Sequence, residues 1–138
     1  MNASRLDELV RFYEALTPEL VARMYEFYAP DAYFKDPFHE VHSLPEIRAI
    51  FATMFHTVQT PRFTVTERIV GVDSVALTWD FDFSARGMPI RVRGASLLRF
   101  AEDGRVTYHR DYWDVAEELY EKLPVIGSLM RWLKRRVG

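Results

Sequence analysis

The sequence contains no cysteine and has no excess of one charge sign. The missing thiols exclude a disulfide scaffold, a cysteine nucleophile and cysteine-bound metal sites. The 18 basic and 20 acidic residues leave a net charge of −2, so no global positive field attracts nucleic acid. No stretch approaches the ~20 apolar residues of a membrane-spanning helix, and the charged N-terminus is atypical of a signal peptide. We therefore expect a cytoplasmic protein that binds no nucleic acid.

Aromatic residues are abundant. They make up 14% of the chain, with 10 Phe, 7 Tyr and 3 Trp. Such a composition indicates either a heavily packed core or a cavity lined by aromatic rings. The length of 138 residues predicts one domain, residues 1–138, large enough to bury a core without a disulfide or metal.

Helical periodicity dominates the first half of the chain. Ser4 is the predicted N-cap of a first helix, and Thr17 begins a second whose apolar face reaches Tyr28 before Pro30 ends it. A capping box, Ser-Leu-Pro-Glu, starts at Ser43 and opens a third helix. An edge strand is predicted at 32–36, between the second and third helices.

After Pro61 the apolar residues alternate with a period of two. The pattern predicts long strands at 62–72, 74–85, 89–100 and 106–113, followed by a short helix capped by Asp114 and a last helix at 124–138. Helices followed by a strand meander are typical of an α+β fold. Because strands this long must twist and curl, helices on the concave side enclose a conical space, which is the candidate site.

Two segments resemble the SnoaL-like branch of the nuclear transport factor 2 superfamily. Residues 28–38 are similar to the ketosteroid isomerase segment in which the Asp before Pro is the general base, here Asp36. Residues 104–114 are similar to limonene epoxide hydrolase, in which the first Asp of an Arg-Asp-Tyr-aromatic-Asp run is catalytic, here Asp111. The resemblance implies a cystatin-like cone, with a strongly curved antiparallel sheet and helices on its concave side.

The chain departs from both catalytic sets. For the two oxyanion donors of the isomerases it offers Tyr13 or Phe12, and Ser96 in place of a protonated Asp. A hydroxyl donates more weakly than a carboxylic acid. The Arg and Asp that complete the epoxide hydrolase triad correspond to Leu77 and Trp79.

Asp36 and Asp111 are the two candidate catalytic acids. An acid among aromatic side chains such as Phe34 and Phe38 becomes a better base near neutrality, although an Asp before Pro also commonly starts a turn. Strand alternation places His109 and Asp111 on one face, where they form either an acid/base couple or a structural ion pair. If Asp36 and Asp111 face each other across an apolar cavity, the two carboxylates share one proton at neutral pH.

The remaining predicted site residues are apolar. Trp79, Phe81, Val92, Trp113 and Phe34 form either a pocket wall for a flat hydrophobic ligand or packed core. The spacing of His39 and His42 in a loop is a weak metal signal, so we expect no metal and no cofactor. The residues together predict a cofactor-independent isomerase, cyclase or epoxide hydrolase acting on a small hydrophobic substrate. The alternative is a non-catalytic binding or dimerisation module.

The end of the chain carries an apolar stripe with a basic border. The cations are Arg131, Lys134, Arg135 and Arg136, and the stripe comprises Ile126, Leu129, Met130, Leu133 and Val137. This pattern favours a helix that closes over the domain or over its partner in a homodimer formed through the outer sheet face. The alternative is a reversible contact with a membrane surface, for which Trp132 and the basic end are suited.

Overall fold

The computed structural model describes residues 2–122 and 124–137, and for residues 124–126 and 130 the backbone only. The helices are α1 (Ala3–Glu14), α2 (Pro18–Val21), α3 (Leu44–Thr57), α4 (Val115–Glu118) and α5 (Pro124–Val137). Single 3₁₀ turns lie at Met24–Glu26 and Tyr120–Lys122. The strands are β1 (Tyr28–Lys35), β2 (Glu40–Val41), β3 (Gln59–Val70), β4 (Val75–Ala85), β5 (Met88–Phe100) and β6 (Val106–Tyr112).

The strands form one sheet in the order β2-β1-β6-β5-β4-β3. The predicted meander of β3 to β6 is confirmed, and every pair in it is antiparallel. Arg86 and Gly87 connect β4 to β5 with φ angles of 53° and 78°, the two positive values that a tight type I′ hairpin turn needs. The prediction of a wholly antiparallel sheet is wrong in one place, because β1 runs parallel to β6.

The sheet is curved and does not close into a barrel. Register shifts interrupt the β3–β4 and β5–β6 ladders, and such irregularities bend a strand and increase its twist. Helices α1 and α3 contribute Leu6, Leu9, Val10, Phe12, Ile47 and Phe51 to the main core, which they form with buried residues of the sheet. A second buried cluster at Trp79, Ile90 and Val92 lies on β4 and β5. The predicted α+β cone, with helices on the concave side of the sheet, is confirmed.

The segment after Thr17 differs from its predicted course. The expected helix up to Tyr28 ends at Val21, and Tyr28 begins β1 instead. The Val106 amide donates to the Phe27 carbonyl at 2.7 Å, and Tyr28 pairs with Val106, so contacts with a distant strand override the local helical pattern. The strand predicted at 32–36 therefore starts earlier and lies between β2 and β6 rather than at the edge.

The predicted helix caps were mostly correct. Thr17, Ser43 and Asp114 each accept a hydrogen bond from the amide three residues later. Ser4 is not a cap, because Asn2 accepts from the Ser4 amide and α1 begins at Ala3. The predicted capping box forms in a shifted version, since the Glu46 carboxylate accepts from the His42 amide and from the Ser43 hydroxyl rather than from the Ser43 amide.

Helix α5 forms within the predicted range 124–138, but the apolar side chains that the structure describes on it do not cover the core. Leu129, Leu133 and Val137 are exposed, as is Trp132. The side chains of Ile126 and Met130 lie outside the described residues. Within the described ranges, no helix is long and apolar enough to cross a membrane.

Candidate functional site

An open cavity of about 620 Å³ lies between α3 and the concave face of the sheet. Its surface is mainly aromatic and aliphatic, and its carboxylates belong to Asp36 and Asp111. The apolar residues predicted to form a wall all line it: Phe34, Phe38, Trp79, Phe81, Val92 and Trp113. The structure therefore brings both candidate acids and the predicted wall to one cavity.

A narrow space of about 40 Å³ adjoins this cavity and shares four of its lining residues, Phe51, Phe63, Trp79 and Asp111. The remaining polar residues predicted for the site line this space: Tyr13, Ser96 and His109. Asp111 borders both spaces and is 18% exposed. The carboxylate of Asp111 thus lies where the polar inner end meets the apolar cavity.

Six side chains at the inner end form one continuous chain of hydrogen bonds. The Tyr13 hydroxyl lies 2.6 Å from that of Tyr28, which lies 2.7 Å from Nδ1 of His109. Nε2 of the same imidazole lies 2.6 Å from Oδ1 of Asp111. Beyond the carboxylate, the Ser96 hydroxyl donates to Oδ1 at 2.5 Å and accepts from the Trp79 indole at 2.8 Å.

The donor and acceptor properties of these side chains fix the direction of the hydrogen bonds, which run toward Asp111 from both sides. An indole N–H only donates, so Ser96 accepts from Trp79 and gives its own proton to the carboxylate. With Nδ1 of His109 accepting from Tyr28, Nε2 carries the proton that is donated to Asp111. Both bonds end on Oδ1, and Oδ2 accepts none from residues 2–122 and 124–137. One oxygen of Asp111 is therefore fixed, and the other is available to a molecule in the cavity.

Burial raises the pKa of Tyr13 above its ordinary value of 10.0, and burial raises the pKa of Tyr28 well above that value. In both cases removal from water is the main cause, and the negative charge of Asp111 adds to it. Both tyrosines are thus neutral donors at physiological pH. The Tyr13 hydroxyl, predicted as an oxyanion donor, binds Tyr28 and reaches Asp111 only through the chain.

Asp36 lines the cavity, but its Oδ1 is engaged in its own turn. That oxygen accepts from the amides of Phe38 and His39 at 2.8 and 2.7 Å, and it lies 3.0 Å from Nδ1 of His39. The turn that we considered as the alternative is therefore present. Among the described residues no hydrogen bond joins Asp36 to Asp111, and the sharing of one proton between the two carboxylates that line this cavity stays a prediction.

Phe38 follows this turn and is 54% exposed, with its ring edge-on to Trp113 at 5.7 Å between centroids. Phe34, by contrast, is almost fully buried against the imidazole of His109, with 4.9 Å between ring centroids. These two predicted binding residues therefore differ in role. Phe38 lies at the open end of the cavity, whereas Phe34 belongs to the core that packs against His109.

Two residues that sequence reasoning missed complete the site. Tyr28, which we placed on a helix, connects Tyr13 to His109. Gly94 pairs with Trp79 across β4 and β5, and a Cβ there would lie 2.7 Å from Cζ2 of the indole. Only glycine leaves room for the indole in the position that bonds Ser96. The sequence does contain a signal for Gly94, because a glycine inside a long strand often marks a place where another group approaches the backbone closely.

Fold and site together define a conical α+β protein with an acid at the inner end of an apolar cavity. The chain belongs to the SnoaL-like domain family, whose sequence model matches residues 9–109. A comparison with curated proteins finds no match.

Three solved structures show the same fold at low sequence identity. One is a hypothetical protein with a ketosteroid isomerase-like fold from Catenulispora acidiphila, in complex with trimethylamine (17% identity, 86% of this chain and 92% of that chain, TM-score 0.71). A nuclear transport factor 2-like protein of unknown function from Burkholderia pseudomallei is 18% identical, over 84% of this chain and 95% of that chain, with TM-score 0.72. The third, provisionally assigned as a SnoaL-like polyketide cyclase, comes from a Jannaschia species (15% identity, 82% and 87% coverage, TM-score 0.71).

Proposed function

We propose that this SnoaL-like protein is a cofactor-independent acid/base enzyme that acts on a small hydrophobic molecule. The observation that carries the proposal is the Asp111 carboxylate, which meets an apolar cavity with one oxygen held and the other without a donor among the described residues. A partly buried carboxylate with fixed orientation is suited to move a proton to or from a bound substrate. The provisional assignment of the Jannaschia protein as a polyketide cyclase agrees with this class of chemistry.

In this proposal Asp111 is the proton-transferring group and His109 sets its orientation and charge. Oδ2 of Asp111 takes a proton from an acidic carbon of the substrate, or from a water that opens an epoxide. Nε2–H of His109 and the Ser96 hydroxyl stabilise the carboxylate before transfer. Asp36, the base expected from the family resemblance, is given no proton-transfer role here, because Oδ1 holds the turn before α3 and Oδ2 lies 3.2 Å from Nδ1 of His39.

The test begins with a ligand screen by thermal shift, using steroids, terpenoids, epoxides, β-keto esters and acyl lipids. Each compound that raises the melting temperature is then assayed for conversion by mass spectrometry. Asp111→Asn keeps an oxygen to accept from His109 and Ser96 but cannot take a proton. We expect turnover to fall by about 10²–10⁴-fold with ligand binding retained.

Asp82→Asn is the matched control, because Asp82 is an acid on β4 of the same sheet that pairs with Arg91 on the outer face. Its turnover should equal that of the wild type, as should that of Asp36→Asn. Wild-type turnover by Asp111→Asn refutes the assigned proton transfer. Loss of turnover only in Asp36→Asn would identify Asp36 as the base, as the resemblance to ketosteroid isomerase predicts.

The second candidate is a binding module without catalysis, and one observation favours it. Both ring nitrogens of His109 already have protein partners, so the imidazole has no free nitrogen for a substrate. A ligand that binds equally well to the wild type and Asp111→Asn, and is never converted, supports the module. Conversion by the wild type excludes it.

A further inference from the structure

The apolar side chains that the structure describes on helix α5 are exposed to solvent. The described members of the stripe, Leu129, Leu133 and Val137, and the neighbouring Trp132 are between 40 and 88% exposed. An amphipathic helix of a globular protein normally buries this face against the core. At these three stripe positions the apolar surface is therefore not used for packing within the domain.

One border of the stripe is attached to the rest of the chain. At Gly127 a Cβ would lie 2.7 Å from the carbonyl carbon of Glu121, so only glycine permits this approach. One turn later, Arg131 donates to the Glu121 carbonyl, and Nζ of Lys134 lies 3.6 Å from the Glu121 carboxylate. Backbone contact and polar bonds thus hold α5 along this border, and Leu129 and Leu133 remain exposed.

The charges around the stripe all have one sign. No acidic residue follows Glu121, whereas four cations occupy the last two turns: Arg131, Lys134, Arg135 and Arg136. At ~3.6 residues per turn, Lys134 and Arg136 lie on the two borders of the stripe. The guanidinium of Arg136 lies 5.3 Å from the centre of the Trp132 ring. Cations and a tryptophan beside an apolar stripe are typical of helices that lie in the interface of anionic membranes.

We propose that α5 binds the surface of membranes that contain anionic phospholipids. Leu129, Leu133 and Val137 enter the boundary of the acyl chains, and Arg136, on the border of the stripe, contacts the headgroups. With 14 residues, or ~21 Å, the helix is too short to cross a bilayer core of ~30 Å. It therefore lies parallel to the membrane.

Charge complementarity favours an anionic bilayer over a second copy of the chain. Two α5 helices packed through their stripes would place cations beside cations, with no acid in either helix to compensate. An anionic bilayer supplies both an apolar layer and the opposite charge. This inference does not depend on the proposed enzymatic function.

The test is co-sedimentation of the full chain with vesicles of phosphatidylcholine containing phosphatidylglycerol, compared with vesicles of phosphatidylcholine alone. We expect binding only to the anionic vesicles, weakening as salt is raised. Leu133→Asp places a charge in the stripe and should abolish binding. Val72→Asp is the matched control, since Val72 is an exposed apolar residue in the distant β3–β4 turn, and its binding should remain unchanged.

The variant Arg136→Gln tests the charge separately and should weaken partitioning about 5-fold. All the substituted side chains are exposed, so melting temperatures should match the wild type. Absence of wild-type binding to anionic vesicles overturns the proposal, as does equal binding to both vesicle types. If Leu133→Asp instead abolishes concentration-dependent self-association and the wild type ignores vesicles, the stripe belongs to a dimer and the proposal is wrong.

Discussion

The hydroxyl of Tyr28 lies 2.7 Å from Nδ1 of His109, a residue 81 positions away in the chain. The two meet because β1 and β6 pair in parallel with Tyr28 opposite Val106, so the Tyr28 side chain reaches His109 three residues further along β6. The bond selects the imidazole tautomer that donates from Nε2 to Asp111. Tyr28 thereby determines, through His109, which hydrogen bond the Asp111 carboxylate accepts.

Tyr28→Phe tests this relationship. The variant keeps the buried ring but leaves the Tyr13 hydroxyl and Nδ1 of His109 without a partner. We expect the free energy of unfolding to fall by about 1–3 kcal/mol, measured by urea denaturation. Tyr33→Phe is the control, because its hydroxyl binds Glu40 at the surface, and its loss should stay within about 0.5 kcal/mol. Equal losses of unfolding free energy in the two variants would contradict a stabilising role for the buried chain of hydrogen bonds.

High pH should destabilise the fold through the same tyrosines. The pKa of Tyr13 and that of Tyr28 are raised above 10.0 in the folded state, mainly by burial. Their stabilising contribution is complete below about pH 10, and it is lost above that pH because the unfolded chain releases these protons first. Between the unfolded and the folded pKa of each tyrosine, every rise of one pH unit lowers the free energy of unfolding by up to ~1.4 kcal/mol. The Tyr13→Phe/Tyr28→Phe double variant should show a shallower decline in urea midpoints, and an unchanged slope contradicts this assignment.

Gly94→Ala should displace the indole of Trp79. The added methyl group would meet Cζ2 at 2.7 Å and the Tyr112 carbonyl oxygen at 3.0 Å, so the ring moves and its bond to Ser96 breaks. We expect a loss of about 1–3 kcal/mol in unfolding free energy and a shifted tryptophan emission. Trp79→Phe removes the clashing atoms, so the double variant should be more stable than the sum of the single losses. Strict additivity would mean that the two residues do not interact.

Phe34 and Phe38 line the same cavity but should respond differently to truncation. Phe34 is 2% exposed, and Phe34→Ala should cost about 3–5 kcal/mol of unfolding free energy. Phe38 is 54% exposed, and Phe38→Ala should change stability by less than about 0.5 kcal/mol. Calorimetry with a ligand from the screen should nevertheless show weaker binding to Phe38→Ala. Unchanged affinity would exclude Phe38 from the binding surface.

Much of the fold is predictable from local signals. The caps at Thr17, Ser43 and Asp114 and the alternation from β3 to β6 involve residues close in sequence, whose interactions do not depend on distant partners. The same alternation places His109 and Asp111 on one face, and the structure joins them by a hydrogen bond. Family resemblance adds the cone, which sequence periodicity alone does not distinguish from other α+β arrangements.

The sequence by itself determined the meander, most helix starts and the set of residues from which the cavity is built. Tertiary structure alone decided that Tyr28 leaves its helical pattern for a strand, since pairing with β6 outweighs local propensity. It also decided which acid is held by a turn and which joins the chain of hydrogen bonds at the inner end of the cavity, because Asp36 and Asp111 differ in the donors that folding brings to them. The exposure of Leu129, Leu133 and Val137 on α5 has the same origin: periodicity defines a face, but tertiary contacts decide whether its side chains are buried.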